Sequence, residues 1–185
     1  MKRFFVAAAG VAALAAVAFA APTSGLNPGE SVTPFHPRHV VGPLAGTNNC
    51  FPCTFQNRPQ VQVWVNGDNP QNVKQIASTL ASAMGTHKAK EFKAMIVFVS
   101  DNPSDGKLPL SLKQIAKETK SDKVALAIVG RDDEALSKYK INLAPSVKNT
   151  VLVYKNWQIA DKMVNLNADD KGKAALNAAI TKVAQ

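Results

Sequence analysis

The chain has 185 residues, and 22 Lys and Arg against 13 Asp and Glu give it a formal charge of +9. Its length favours a single domain with one sizeable core. The basic balance comes without any motif for nucleic acid recognition, and the lysines after Glu91 alternate with acids as they do on a solvated helix surface. We therefore expect no nucleic acid partner. The sequence also lacks a Gly-rich phosphate loop, a serine nucleophile elbow and a His-Glu-x-x-His motif, so no cofactor is expected.

The N-terminus has the pattern of a secretory signal peptide. Lys2 and Arg3 precede residues 4–19, which carry no charge, and Ala18-Phe19-Ala20 fits the rule for a cleavage site. The apolar run is too short to span a membrane comfortably. The sequence therefore predicts a signal peptide over residues 1–20 and a mature domain over residues 21–185, exported to the periplasm or the extracellular medium without a membrane anchor.

The next forty residues are rich in turn formers. Residues 21–30 contain Pro, Gly and Ser and are predicted to form a mobile lead-in, and five prolines within residues 31–60 exclude a helix there. Short edge strands are possible at residues 32–35 and 38–41.

From residue 60 onward, predicted strands and helices alternate. Alternating or continuous apolar runs predict strands at residues 61–65, 94–99, 124–129, 150–154 and 158–164. Apolar spacings of three and four, with caps such as Asn69, predict helices at residues 70–84, 110–119, 132–139 and 168–183. This alternation predicts a parallel sheet that is covered on both faces, with an antiparallel hairpin at its edge.

Two segments and the order of elements resemble a known superfamily. Residues 150–156, Thr-Val-Leu-Val-Tyr-Lys-Asn, form an apolar strand that ends in a Lys-Asn turn, and residues 29–35 read Gly-Glu-Ser-Val-Thr-Pro-Phe. Together they resemble the thioredoxin-like superfamily, in its redoxin/peroxiredoxin branch of alkyl hydroperoxide reductases and thiol-specific antioxidants. The resemblance implies an α/β fold, namely a thioredoxin-like three-layer α/β/α sandwich with the redoxin-type extra strand and helix.

The same resemblance shows what this chain has lost. The family carries its reactive cysteines just after the first core strand, and residues 66–70 here are Asn-Gly-Asp-Asn-Pro. Typical peroxidase chemistry is therefore not expected. Asp68 lies where the reactive pair would be, and the safer interpretation is a turn residue. Asn149 occupies the position of the family's cis-proline, and the nearest proline is Pro145.

The two cysteines nevertheless have the spacing of a dithiol motif. Cys50-Phe51-Pro52-Cys53 precedes the first core strand, in the crossover that leads into it. Residues 31–67 contain no acid but several basic groups, which would favour a thiolate. The first interpretation is a thiol-disulfide oxidoreductase that acts on protein thiols or disulfides, with Cys50 attacking and Cys53 resolving.

Three other interpretations remain open. The pair could be a structural disulfide, which stabilises by about 2 kcal/mol when it closes so short a loop. It could form a metal site with histidines, for which the sequence offers His36, His39 and His87. Lastly, the domain could be a non-catalytic binding module in which the cysteines have no chemical role.

Overall fold

The computed structural model describes residues 22–185. The predicted signal peptide at residues 1–20 lies outside these residues and stays a prediction. The strands are β1 (Arg38–Val41), β2 (Gln60–Val65), β3 (Lys93–Ser100), β4 (Ala125–Gly130), β5 (Asn149–Lys155) and β6 (Gln158–Val164). The helices are α1 (Phe51–Phe55), α2 (Pro70–Thr86), α3 (Lys107–Thr119), α4 (Glu134–Lys138) and α5 (Asp170–Val183), with a short 3-10 helix at Lys88–Lys90.

All six strands belong to one sheet with the order β1-β4-β3-β2-β5-β6. The central strands β2, β3 and β4 are parallel, whereas β1 pairs antiparallel with β4 and β5 pairs antiparallel with both β2 and β6. Between β3 and the final hairpin the chain adds α3, β4 and α4. The predicted parallel core with a hairpin edge is confirmed.

Alternate side chains of each central strand enter two separate cores. Val61, Val63 and Val65 of β2 pack beneath α2, α3 and α5, while Trp64 packs on the opposite face with α1, α4 and the segment that precedes β1. Every residue of β2 is buried. Burial of the sheet on both faces produces the predicted three-layer α/β/α sandwich.

The prediction that residues 31–60 contain no helix is wrong, because they include α1. Pro52 is the second residue of that helix, where the missing N–H has no intrahelical partner to lose. The possible strand at residues 32–35 is also absent, and only Ser31 makes an isolated bridge, with Gln158.

The lead-in is packed rather than loose. The Thr150 hydroxyl donates to Ser24 Oγ over 2.7 Å, and Gly25 N–H donates to the carbonyl of Lys140 over 2.9 Å. Leu26 is only 4% exposed and belongs to the second core. Composition alone suggested mobility, but these contacts attach the start of the domain to the sheet.

Candidate functional site

Cys50 and Cys53 form a disulfide at the start of α1, on the crossover between β1 and β2. Cys50 is the N-cap residue, and its Sγ accepts a hydrogen bond from Cys53 N–H over 3.2 Å. The Cys50 carbonyl accepts from both the N–H and the hydroxyl of Thr54. The N-cap Cys50 thus satisfies backbone groups of the first helical turn, which explains how the short helix forms in a proline-rich stretch.

The two cysteines differ in exposure. Cys50 is only 6% exposed, whereas Cys53 is exposed to solvent. Phe51, between them, is fully buried and makes an edge-to-face contact with Phe55 at 4.7 Å between ring centroids. Because Phe51 anchors the helix to the sheet, Cys50 is carried inward and Cys53 outward. An incoming thiol therefore has access to Cys53.

The basic residues expected around the cysteines bond elsewhere. Arg38 donates to the carbonyl of Pro103, and Arg58 pairs with Glu91 over 3.1 Å. His39 stacks on Phe51 and its Nε2 lies 2.9 Å from the Asn49 carbonyl; burial lowers the pKa of His39 below its ordinary value. The imidazole is therefore neutral near pH 7 and gives the sulfurs no positive charge.

The histidines proposed as metal ligands are also dispersed. His36 Nδ1 lies 3.1 Å from the Asn48 carbonyl, and His87 packs against Phe92 and Thr181. Within residues 22–185, no three His, Cys, Asp or Glu side chains are grouped so as to hold a metal ion.

The position at which the resemblance places reactive cysteines is occupied here by a polar network. Asp68 Oδ2 accepts from the side-chain amides of Asn149 and Asn72 over 2.7 and 2.8 Å, and Asp68 Oδ1 accepts from Asn69 N–H over 2.7 Å. The turn after β2 thus faces the start of β5, the two positions that the resemblance pairs. Among residues 22–185 no peptide bond is cis, and Pro145 is exposed. This network ties loops together and contains no thiol.

A cleft of about 580 Å³ opens beside that network, between the first turns of α2 and α3. Its walls include Val65, Val73 and Phe98, and its rim carries the ion pair of Arg131 with Asp101. Neither cysteine lines it. Asp68, which the sequence analysis interpreted as a turn residue, lies on the wall of this cleft.

No protein-family model and no curated protein matches the chain. Solved structures do resemble it. The thioredoxin domain of a thiol-disulfide oxidoreductase from Bacteroides vulgatus has a TM-score of 0.59 at 15% identity, over 84% of this chain and 99% of that one. A yeast mitochondrial 1-Cys peroxiredoxin has a TM-score of 0.60 at 13% identity, over 84% of this chain and 75% of that one. A thiol peroxidase from Chromobacterium violaceum has a TM-score of 0.57 at 13% identity, over 89% and 92%.

These similarities show that the fold is thioredoxin-like, as the sequence resemblance indicated. At such identities they show the fold alone. No helix within residues 22–185 is long and apolar enough to cross a membrane.

Proposed function

We propose that this protein is an exported thiol-disulfide oxidoreductase that acts on protein thiols or disulfides through Cys50 and Cys53. One observation carries the proposal: the exposed Cys53 is bonded to a buried Cys50 with two-residue spacing on a thioredoxin-like fold. The names of several solved structures with this fold, including the oxidoreductase from Bacteroides vulgatus, point to the same chemistry. Export, through the predicted signal peptide, would place the pair where disulfides persist.

Access determines the order of the reaction. A thiolate of the partner attacks Cys53 Sγ, because that residue is exposed, and a mixed disulfide forms while the Cys50–Cys53 bond breaks. The electron pair of that bond leaves on Cys50 Sγ, which already accepts the Cys53 N–H. A second thiolate of the partner then attacks its own sulfur in the mixed disulfide and releases Cys53. The partner loses two electrons and the protein becomes a dithiol; the reverse sequence reduces a partner disulfide.

This order reverses the roles that the sequence pattern suggested. The pattern made Cys50 the attacking thiol by analogy with the usual motif, but Cys50 is buried and caps the helix. Two serine variants test the assignment. Cys50→Ser leaves the exposed thiol and should form a mixed disulfide with oxidised glutathione at least tenfold faster than Cys53→Ser. A faster reaction of Cys53→Ser would return the attacking role to Cys50.

The test of the function itself is the reduction potential of the pair, measured by equilibration against glutathione buffers with thiol trapping. A potential above about −270 mV lies in the range of dithiol oxidoreductases and supports exchange. A potential below about −300 mV is typical of structural bridges and would refute the proposal. Catalysed reduction of insulin disulfides, compared with a double Cys50→Ser/Cys53→Ser control, gives an independent readout.

The alternative of a structural disulfide has its own support. The bond joins the cap of α1 to its third residue, and the helix holds the buried Phe51 against the sheet. In that case the domain would be a binding module on a thioredoxin-like scaffold, and the serine variants would lose stability with no measurable exchange activity to lose.

A further inference from the structure

Four lysines that are far apart in the sequence line one cavity. The cavity has a volume of about 500 Å³ and lies at the amino ends of β3 and β4. Lys88 begins the short 3-10 helix before β3, Lys93 is the first residue of β3, and Lys120 and Lys123 come from the turn that leads into β4. Because β3 and β4 pair in parallel, their amino ends are neighbours at the same edge of the sheet. Sheet register thus brings these four residues to one edge, but the Lys93 ammonium lies 5.3 Å from the centroid of the Phe55 ring, which packs with the core on the opposite face of the sheet. The ammonium groups left to the cavity are those of Lys88, Lys120 and Lys123.

Their charge is not balanced by nearby carboxylates. The ion pairs found within residues 22–185 involve other cations and none of these four lysines. Two acids also line the cavity, and one of them, Glu91, is paired with Arg58. That leaves the ammonium groups of Lys88, Lys120 and Lys123 and one carboxylate, Asp122, without an ion pair. Like charges that line one cavity repel one another, so an anion that enters the cavity gains attraction from all three ammonium groups.

The inner surface of the cavity is apolar. It includes Ala81 and Met84 of α2 and Phe92, which is 2% exposed. A volume of about 500 Å³ lies within the range of about 300–1,000 Å³ that is typical of small-molecule sites. A ligand with several anionic groups on an apolar carbon skeleton would complement both the lysines and the apolar inner surface of the cavity.

We propose that this cavity binds a small organic polyanion that carries two or more phosphate groups. Lysine suits phosphate as a compact point charge with three N–H donors. Binding at this cavity is independent of thiol exchange at Cys50 and Cys53, and a titration detects it whether the cysteine pair is oxidised or reduced. Failure of one proposal therefore leaves the other intact.

Lys120 provides a variant that separates binding from folding. It ends α3 in the left-handed region at φ 51°, where glycine is less strained than any side chain. Lys120→Gly thus removes a charge from the cavity without lowering the melting temperature. Lys113→Gln is the matched control, because Lys113 is an exposed lysine of the same helix that does not line this cavity.

The first experiment is calorimetric titration of the purified protein with 1,6-hexanediol bisphosphate and with inorganic pyrophosphate at low salt. Saturable binding is expected, tighter for the organic bisphosphate because its chain covers the apolar inner surface. Lys120→Gly should weaken binding at least fivefold and Lys113→Gln by less than twofold. Equal losses in the two variants would show a response to net charge alone and overturn the site. Equal affinity for the two probes would overturn the organic part of the proposal.

Vesicles distinguish a soluble ligand from a membrane surface. Sedimentation is measured with vesicles of phosphatidylglycerol and, as a neutral control, of phosphatidylcholine. The proposal expects saturable binding of the soluble bisphosphate whether or not the anionic vesicles retain the protein. Retention by anionic vesicles together with no saturable binding of either soluble probe would refute it in favour of a lipid surface, and no binding in any arm would refute it outright.

Discussion

The Asn149 side chain should be one of the most stabilising polar groups of the domain, at the position where the sequence resemblance implies a proline. It is 1% exposed and makes three hydrogen bonds. Its amide donates to Asp68 Oδ2 over 2.7 Å and to the Leu166 carbonyl over 3.0 Å, and its Oδ1 accepts from Leu166 N–H over 2.8 Å. The substitution Asn149→Ala removes all three bonds.

The cost follows from which groups lose their only partner. The Leu166 carbonyl keeps a bond from Asn72, and Asp68 keeps bonds from Asn72 and Asn69. The Leu166 N–H has no other acceptor in the network and becomes a buried donor without a partner, which costs about 1–3 kcal/mol. With the bond to the Asp68 carboxylate also lost, we expect Asn149→Ala to lower the free energy of unfolding by about 2–4 kcal/mol.

Urea unfolding followed by circular dichroism measures this change, and thermal unfolding should show a melting temperature lower by about 5–15 °C for a domain of this size. Asn57→Ala is the control, because Asn57 is exposed and its loss should change the free energy of unfolding by less than about 0.5 kcal/mol. A loss for Asn149→Ala no larger than for Asn57→Ala would refute the view that this network stabilises the domain.

Three further predictions concern stability. Gly172→Ala should lower the free energy of unfolding by about 2–3 kcal/mol, because the new Cβ would lie 1.8 Å from the backbone oxygen of Asn167. Gly85→Ala in α2 should raise the free energy of unfolding by about 1 kcal/mol, because its new Cβ meets open space. Urea unfolding measures both changes. Burial lowers the pKa of His39, so the folded chain binds a proton at this residue more weakly than the unfolded chain does. The free energy of unfolding should therefore decrease as the pH falls below 6.5. The loss of unfolding free energy between pH 7 and pH 5.5, measured by urea unfolding, should be smaller in His39→Gln than in the unsubstituted protein. Reduction of the Cys50–Cys53 bond should lower the free energy of unfolding by about 2 kcal/mol and the melting temperature by about 4–8 °C. Equal melting temperatures for the reduced and oxidised forms would contradict this prediction.

Elements set by short-range chemistry could be predicted closely from the sequence. The strand at Gln158–Val164 has the predicted bounds. The helix α2 begins at Pro70, where the cap Asn69 accepts from Gln71 N–H as the pattern required, but it continues through Gly85 to Thr86 because nothing obstructs another turn there. Caps and periodicity involve residues within one or two turns of each other, so a local pattern contains the relevant interactions.

The helix α1 could not be predicted in this way, because its stability comes from outside the segment. Its five residues are too few to form a helix alone. Phe51 is fully buried under the sheet and Cys50 caps the first turn through its sulfur, and neither fact is visible in a proline count. The same packing decides that Cys53 rather than Cys50 is exposed to solvent, so the sequence could identify the pair but not which of its two cysteines is accessible.

Long-range pairing also explains why the lysine cavity was missed. Lys93 and Lys123 are thirty positions apart, and along the chain their neighbours include acids, so the sequence favoured an ordinary solvated surface. Register changes that interpretation, because the parallel pairing of β3 and β4 places the turns before both strands at one edge while Glu91 is drawn to Arg58. The charge of a site is thus set by which strands are neighbours and which acids are already paired. On this scaffold the turn after β2 is tied to the start of β5 by hydrogen bonds, and we expect chemistry at α1 and anion binding at the strand edge, where no fold-level resemblance would have placed them.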